Sequence, residues 1–201
     1  KTDMFSKPQR SDNGVICIAV DDTTKALGDM SAFNRRRTSV SVIAITGSNG
    51  KTSTRKMTSG VVSRRFCTLS TQGNLNNDIG LPLTLLNLTR DHQWAVVELG
   101  MNRPGEIERL GEICLPEIGL ITNIAPAHLE GLGSIEAVMK AKGELLGTIK
   151  PNGMAILNAD DPRVIKLADT TPIKALFFGM SKDASIRAES IEEKGEGLSF
   201  S

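Results

Sequence analysis

The sequence predicts an α/β fold of three layers, a mostly parallel sheet covered on both faces. Six short apolar runs carry that expectation: VSVIAIT from Val40, FCTLST from Phe66, WAVVELG from Trp94, EIGLITNIA from Glu117, GMAILNAD from Gly153 and KALFFGM from Lys174. A helical pattern or a long crossover separates each from the next, as parallel strands require. Their apolar residues are continuous rather than alternating, the pattern of strands buried on both faces. The polar residues with chemical potential fall at the carboxyl ends of these runs, where such sheets collect ligands.

In chain order, residues 15–20 (VICIAV) form a β-branched apolar run and predict a strand buried on both faces. Asp21, Asp22 and Thr23 then offer N-cap oxygens for a helix whose apolar residues Ala26, Leu27, Met30 and Phe33 recur at helical spacing. Arg35, Arg36 and Arg37 close it, and the reading is a solvated helix end. After VSVIAIT the pattern predicts a helix over residues 51–65, and later one around Ile135–Thr148. The final residues, from Ser181 onward, look like the start of a further β segment.

Composition narrows the function classes. Lys plus Arg is 24 against 23 for Asp plus Glu, so the charge excess that drives sequence-independent nucleic-acid binding is missing and nucleic acid is not an expected partner. Cys17, Cys67 and Cys114 are odd in number, far apart and set in apolar surroundings, which predicts reduced core thiols in a cytoplasmic protein. No apolar run reaches the roughly 18 residues of a membrane span, and the start lacks a signal-peptide pattern. A soluble, cytoplasmic monomer is expected. The first residue is Lys and the last segment reads GLSFS, so the chain is expected to be a fragment cut at both ends.

The strongest motif is TGSNGKT over residues 46–52, between an apolar strand and a helix that starts with Thr52, Ser53 and Thr54. Glycines let backbone N–H groups turn inward around phosphate oxygens, and the helix N-terminus adds its dipole. Lys51 is placed to reach the β and γ phosphates, and Thr52 to ligate magnesium. Ile45 stands where the longer motif has its first glycine, so this is the shorter GxxGKT form. Such a loop implies a nucleotide and no more; a kinase, a GTPase and a ligase all use it.

Other strand ends refine the choice. Glu98 ends WAVVELG where a Walker B acid would hold magnesium or polarise its water. His128, one of two histidines, follows GLITNIA in step with Glu98, whereas His92 lies in a polar turn and reads as solvated. Histidine is an unusual magnesium ligand, so a site using it would tolerate manganese. Lys142 has Val138, Leu145 and Leu146 at helical spacing and falls on an apolar stripe, while Lys140 lies between Glu136 and Glu144 at ion-pair spacing.

TGSNGKTS, GNLNNDIGLPLTLL from Gly73, VVELGMNRPGEI from Val96, TNIAPAHLEGLGS from Thr122, KAKGELL from Lys140 and LNADDP from Leu157 together resemble, in order and spacing, the central domain of the Mur ligases. GNLNNDIG with ELGMNRPGEI and HLEGLGS is most similar to the MurF type, which joins D-alanyl-D-alanine to UDP-N-acetylmuramoyl-tripeptide. The resemblance covers roughly residues 40–180. It implies residues 1–40 as the end of an N-terminal domain with its connector, and residues 41–201 as an ATP-binding domain incomplete at its C-terminus. It also implies that Gly47, Ser48, Asn49, Gly50, Lys51, Thr52 and Ser53 form the ATP phosphate loop, that Asn158 is an adenine-side contact, and that Asn74 lies near the acyl substrate. Glu98 and His128 match a metal-binding pair for Mg2+ or Mn2+, and Lys142 matches a lysine that relatives carbamylate, giving it a metal-ligand role. The implied reaction activates a carboxylate as an acyl phosphate at the expense of ATP. Another amide ligase of the superfamily, of folylpolyglutamate or cyanophycin type, is the alternative. A P-loop kinase or GTPase and a non-catalytic nucleotide module are less consistent with Lys51, Glu98, His128 and Lys142 occurring together.

Overall fold

A computed structural model describes residues 9, 10, 16–127, 129–195 and 197–201. Along the chain these form β1 (Gln9–Arg10), β2 (Ile16–Cys17), α1 (Thr23–Arg36), β3 (Ser41–Thr46), α2 (Lys51–Val62), β4 (Thr68–Ser70), α3 (Gly80–Leu86), β5 (Trp94–Glu98) and α4 (Glu106–Cys114). There follow β6 (Ile118–Ile121), α5 (Leu129–Leu132), α6 (Ile135–Thr148), β7 (Met154–Asn158), α7 (Pro162–Ala168), β8 (Lys174–Gly179), β9 (Ile186–Arg187), β10 (Glu192–Lys194) and β11 (Gly197–Ser199).

The main sheet has seven strands in the order β4-β5-β3-β6-β7-β8-β9, with every neighbouring pair parallel. All six apolar runs read from the sequence are in it. Side chains alternate across the sheet, so Val42 and Ala44 of β3 join one core with Ala95, Val97, Ile121 and Leu157, roofed by α1, α3, α4, α6 and α7. Ile43, Ile45, Val96 and Leu120 form a smaller core on the opposite face, against Val62 of α2. Burial on both faces therefore holds for β3 and β5, beneath α2. At β7 it is one-sided: Ala155 and Leu157 are buried, Met154 and Ile156 half-buried. A short apolar run looks the same whether one or both of its faces are covered, which is why the sequence did not separate these cases.

The amino-terminal expectations need correction. In residues 15–20, Val15 lies outside the described residues, and only Ile16–Cys17 is a strand, paired antiparallel with β1 and exposed. Ile18 and Val20 are exposed as well. Asp22 does cap α1, accepting from Lys25 N at 2.9 Å, but the buried stripe is Gly28, Ser31, Ala32 and Arg35 rather than the apolar one. Met30 and Phe33 are more than 60 % exposed, at 61 % and 62 %. Small residues at 28 and 31 let α1 lie close on α4, where a Cβ at Gly28 would already press on Ile113 and Arg109.

Arg35 is not solvated. It is 2 % exposed, donates through Nε to Cys114 O at 2.8 Å and through Nη2 to Leu115 O at 3.2 Å, and pairs with Glu117 at 3.3 Å. Its guanidinium thus caps the carboxyl end of α4, satisfying carbonyls the helix itself leaves open. Of the three thiols only Cys114 is buried; Cys17 and Cys67 are exposed, against the expectation of three core thiols. Among the described residues no helix is long and apolar enough to cross a membrane.

Candidate active site

Strand order makes the cleft. From β3 the chain first builds β4 and β5 on one side and then crosses to build β6 to β9 on the other, so connections diverge at the carboxyl end of β3 and leave a crevice there. The loop of residues 46–52 occupies it and runs directly into α2.

Local chemistry fixes that loop. Gly47 has φ 150 and Gly50, the α2 N-cap, φ 79, both unfavourable for other residues. A Cβ on Gly47 would overlap the Thr122 hydroxyl, so the close approach of the β6 end also demands glycine. Ser48 N donates to Asn123 O at 3.0 Å and Ser48 Oγ to Ala125 O at 2.9 Å. Asn49 N donates to Asn123 Oδ1 at 3.0 Å, and Asn49 O accepts from Thr122 Oγ1 at 2.6 Å. Residues 122–125 therefore act as a strap along the loop. Asp161 anchors the strap by accepting from Ile124 N at 2.7 Å, and Asn158 Nδ2 donates to Thr122 O at 2.9 Å.

Thr52 and Glu98 meet as their positions in sequence implied. Thr52 Oγ1 donates to Glu98 Oε2 at 2.9 Å, and Glu98 is 2 % exposed at the end of β5. Two residues that sequence reasoning missed complete its surroundings. Arg55 Nε lies 3.4 Å from Glu98 Oε2, and Asn76 Nδ2 donates to Oε1 at 2.9 Å. Arg55 is one helical turn beyond Lys51, a spacing that places it beside the loop; Asn76 lies within GNLNND, and nothing local marks it as a partner of Glu98.

Lys51 Nζ and Lys142 Nζ both donate to Gly47 O, at 2.9 and 3.0 Å. Lys142 is 2 % exposed on α6, as its apolar stripe implied, and Lys140 is exposed. Glu144 departs from the expected ion pair with Lys140: it accepts from Gly105 N and Glu108 N at the start of α4. Burial first, then the positive charge of Lys51, lowers Lys142 from its ordinary 10.5 to about 8.

Asn74 lines a cavity of about 220 Å³ together with Lys51, Asn76, Gly100, Asn102 and Glu106. Asn158 borders a different cavity, of about 490 Å³, with Phe178, Ile186 and Phe200 among its walls. Both ends of its amide bond backbone, Nδ2 to Thr122 O and Oδ1 to Asp160 N, so it also braces the strap. Ser53 is exposed on the first turn of α2. His128 lies outside the described residues. His92, expected to be solvated, is half-buried and accepts from Thr89 N at 3.1 Å.

As a whole the crevice offers a helix N-terminus and the Lys51 ammonium to an anion, with a hydroxyl and a carboxylate beside them. Among the described residues no group of three His, Cys, Asp or Glu side chains could enclose a metal. Thr52 with Glu98 is instead a hard oxygen pair of the kind that suits magnesium held mainly by phosphate and water.

The pKa of Lys142 gives an expected result. Between about pH 8 and 10.5 the unfolded chain keeps a lysine proton that the folded chain has released, so the contribution of Lys142 to stability rises with pH there and is flat below. Buried Cys114, pushed up from 9.0 to about 12, acts oppositely above 9. Comparing urea midpoints with a Lys142→Met variant at about pH 7.5 and 9.5 cancels the cysteine, and wild type should gain stability relative to the variant at the higher pH. Parallel pH profiles for the two proteins would contradict the burial of a charged Lys142.

Residues 45–201 match the family model described as Mur ligase middle domain. The UDP-N-acetylmuramoyl-tripeptide–D-alanyl-D-alanine ligase of Escherichia coli strain K12 is 49 % identical over 144 residues, 72 % of this chain and 32 % of that protein. A crystal structure of MurF from Acinetobacter baumannii superposes with a TM-score of 0.86 at 35 % identity, covering 96 % of this chain and 45 % of that one. A MurF ligase from Thermotoga maritima, solved in complex with ADP, gives 0.86 at 27 % identity, again covering 96 % and 45 %. The chain spans 32 % to 40 % of the length of the first four curated relatives it matches.

Proposed function

Because the chain belongs to the Mur ligase middle-domain family, we propose that it is the nucleotide-binding part of an ATP-dependent ligase joining D-alanyl-D-alanine to UDP-N-acetylmuramoyl-tripeptide in peptidoglycan precursor synthesis. The observation that carries this reading is the meeting of Thr52 with Glu98 beside the two lysines on Gly47. Relatives that bear this activity by name favour it over a folylpolyglutamate or cyanophycin type of ligase. Residues 1–40 are proposed as the end of a preceding domain and its connector, and residues 41–201 as the ATP-binding domain. A cytoplasmic location is proposed with it, in keeping with nucleotide substrates.

The chemistry follows from what a carboxylate lacks. Its oxide is too poor a leaving group for an amine to displace, so a carboxylate oxygen of the tripeptide first attacks the γ-phosphorus of ATP and ADP departs. The amine nitrogen then attacks the acyl carbon of the acyl phosphate, loses a proton, and phosphate leaves through a tetrahedral intermediate. No covalent bond to the protein is needed. The loop of residues 46–52 and the α2 N-terminus hold the phosphates, and Lys51 exchanges Gly47 O for phosphate oxygen as negative charge spreads in the transition state. Asn74, in the cavity it shares with Lys51, faces the acyl side. Thr52 and Glu98 would hold the divalent ion, with His128 as a further candidate ligand, and that ion supplies charge neutralisation on the transferring phosphoryl group.

Lys142 fits a modification better than a direct contact. Burial and the charge of Lys51 lower its pKa to about 8, which raises its neutral share near pH 7.5 above that of an ordinary lysine. The neutral nitrogen adds to the carbon of carbon dioxide and releases one proton, giving a carbamate whose anionic oxygen serves as a metal ligand. Asn158 is proposed as an adenine-side residue that acts through the strap it braces.

The full-length protein tests the reaction class. ADP should form only when both the tripeptide and D-alanyl-D-alanine are present, with one amide made per ADP. Equal ADP formation without the amine would point to a kinase and sink the ligase reading.

A further inference from the structure

Asn76 has a place at the site that the phosphate loop and the acyl-side cavity do not explain. Its Nδ2 donates to Glu98 Oε1 at 2.9 Å, while Oε2 of the same carboxylate accepts from Thr52 Oγ1 at 2.9 Å and lies 3.4 Å from Arg55 Nε. One oxygen is thus gripped from the loop between β4 and α3, the other from α2. Asn76 is itself fixed: its backbone N donates to Asn74 O at 2.8 Å, and its backbone O accepts from Gly100 N at 2.8 Å. Its amide lies flat over Gly100, where an added Cβ would come within 2.8 Å of Asn76 Oδ1 and 3.0 Å of its amide carbon. The chain therefore keeps a side chain off position 100 at the very place where the amide passes to reach Glu98. The last torsion of a glutamate is broad and roughly two-fold; with Oε1 held by Asn76, Oε2 faces Thr52.

We propose that Asn76 is a positioning residue for Glu98: its amide, seated over Gly100, sets the carboxylate orientation on which binding of the phosphate-bound divalent ion depends. Partners that orient a ligating carboxylate matter nearly as much as the ligand itself. The inference rests on the assignment of Glu98 to the metal side of the nucleotide. It also ties that side to the acyl side, since Asn74 and Asn76 belong to one loop and line one cavity with Lys51.

Calorimetric titration of the full-length protein with ATP, across a Mg2+ series and with Mg2+ removed by chelation, tests it without a turnover assay. Asn76→Ala should raise the Mg2+ concentration needed for half of the metal-dependent gain in ATP affinity by about tenfold or more, with metal-free ATP affinity within about twofold of wild type. Gly100→Ala should reproduce that shift by displacing the amide. The nearly isosteric Asn76→Asp should do at least as badly, because it sets a second carboxylate against Glu98. A merely structural role for Asn76 would weaken metal-free and metal-dependent binding alike, and that result overturns the inference. Wild-type Mg2+ dependence in Asn76→Ala also overturns it, with Glu98→Gln as the reference: a raised Mg2+ requirement there leaves the reading of Glu98 standing, and an unchanged one removes both.

Discussion

Lys51→Ala in the full-length protein is expected to lower kcat by about 10²-fold or more, the usual loss when one preorganised charge or donor facing a developing negative charge is removed. Lys51 begins α2 and its ammonium lies 2.9 Å from Gly47 O, within the glycine loop at the carboxyl end of β3. Much of its interaction is made only as charge spreads over the transferring phosphoryl group, so kcat should fall with kcat/KM rather than KM rising alone. Steady-state kinetics with saturating tripeptide and amine decides this. A kcat within about threefold of wild type would mean that the loop is misassigned.

Lys142→Ala should also cripple ligation, by about 10²-fold or more if a carbamate ligand is lost from the metal site, whereas Lys140→Ala should stay within about twofold, as surface substitutions commonly do. The two lysines are two residues apart on α6, so one helix serves as its own control. Lys142 is buried with its Nζ on Gly47 O, and Lys140 is exposed. Removing Lys142 deletes a hydrogen bond to Gly47 O and leaves a void as well as removing any carbamate. Rescue separates these losses: formate or acetate should restore part of the Lys142→Ala activity if an anionic oxygen was lost, and none if only packing was. Equal costs at 140 and 142, or well-defined density for a plain ammonium at Lys142 in an ATP-bound full-length structure, would contradict the carbamate.

What the sequence disclosed and what it withheld have a common physical cause. Strands β3 to β8, the glycine loop of residues 46–52 and α6 obey local rules of apolar continuity, glycine placement and capping, and each stands where those rules put it. Ser134, for example, caps α6 by accepting from Ala137 N. Lys142 was legible because its neighbours at helical spacing are apolar. Glu98 was legible as a strand end, but its partners were not: Asn76 and Arg55 are 22 and 43 residues away in the chain, and only the order of strands brings them to it. Arg35 failed for the same reason, since it is buried by carbonyls about 80 residues further on. Residues 16–20 and the stripe of Met30 and Phe33 misled because apolar spacing tells which side chains share a face and not whether anything covers it.

The proposed reaction turns on transfer of a phosphoryl group from ATP to a carboxylate in the crevice around Lys51, Thr52 and Glu98. The most direct measurement uses tripeptide substrate carrying oxygen-18 in its reacting carboxylate, incubated with ATP, Mg2+ and D-alanyl-D-alanine and the full-length protein. An acyl phosphate requires one labelled oxygen to leave with the phosphate, so mass spectrometry should find one labelled oxygen in each phosphate released per amide formed. Unlabelled phosphate accompanying labelled amide product would contradict the account.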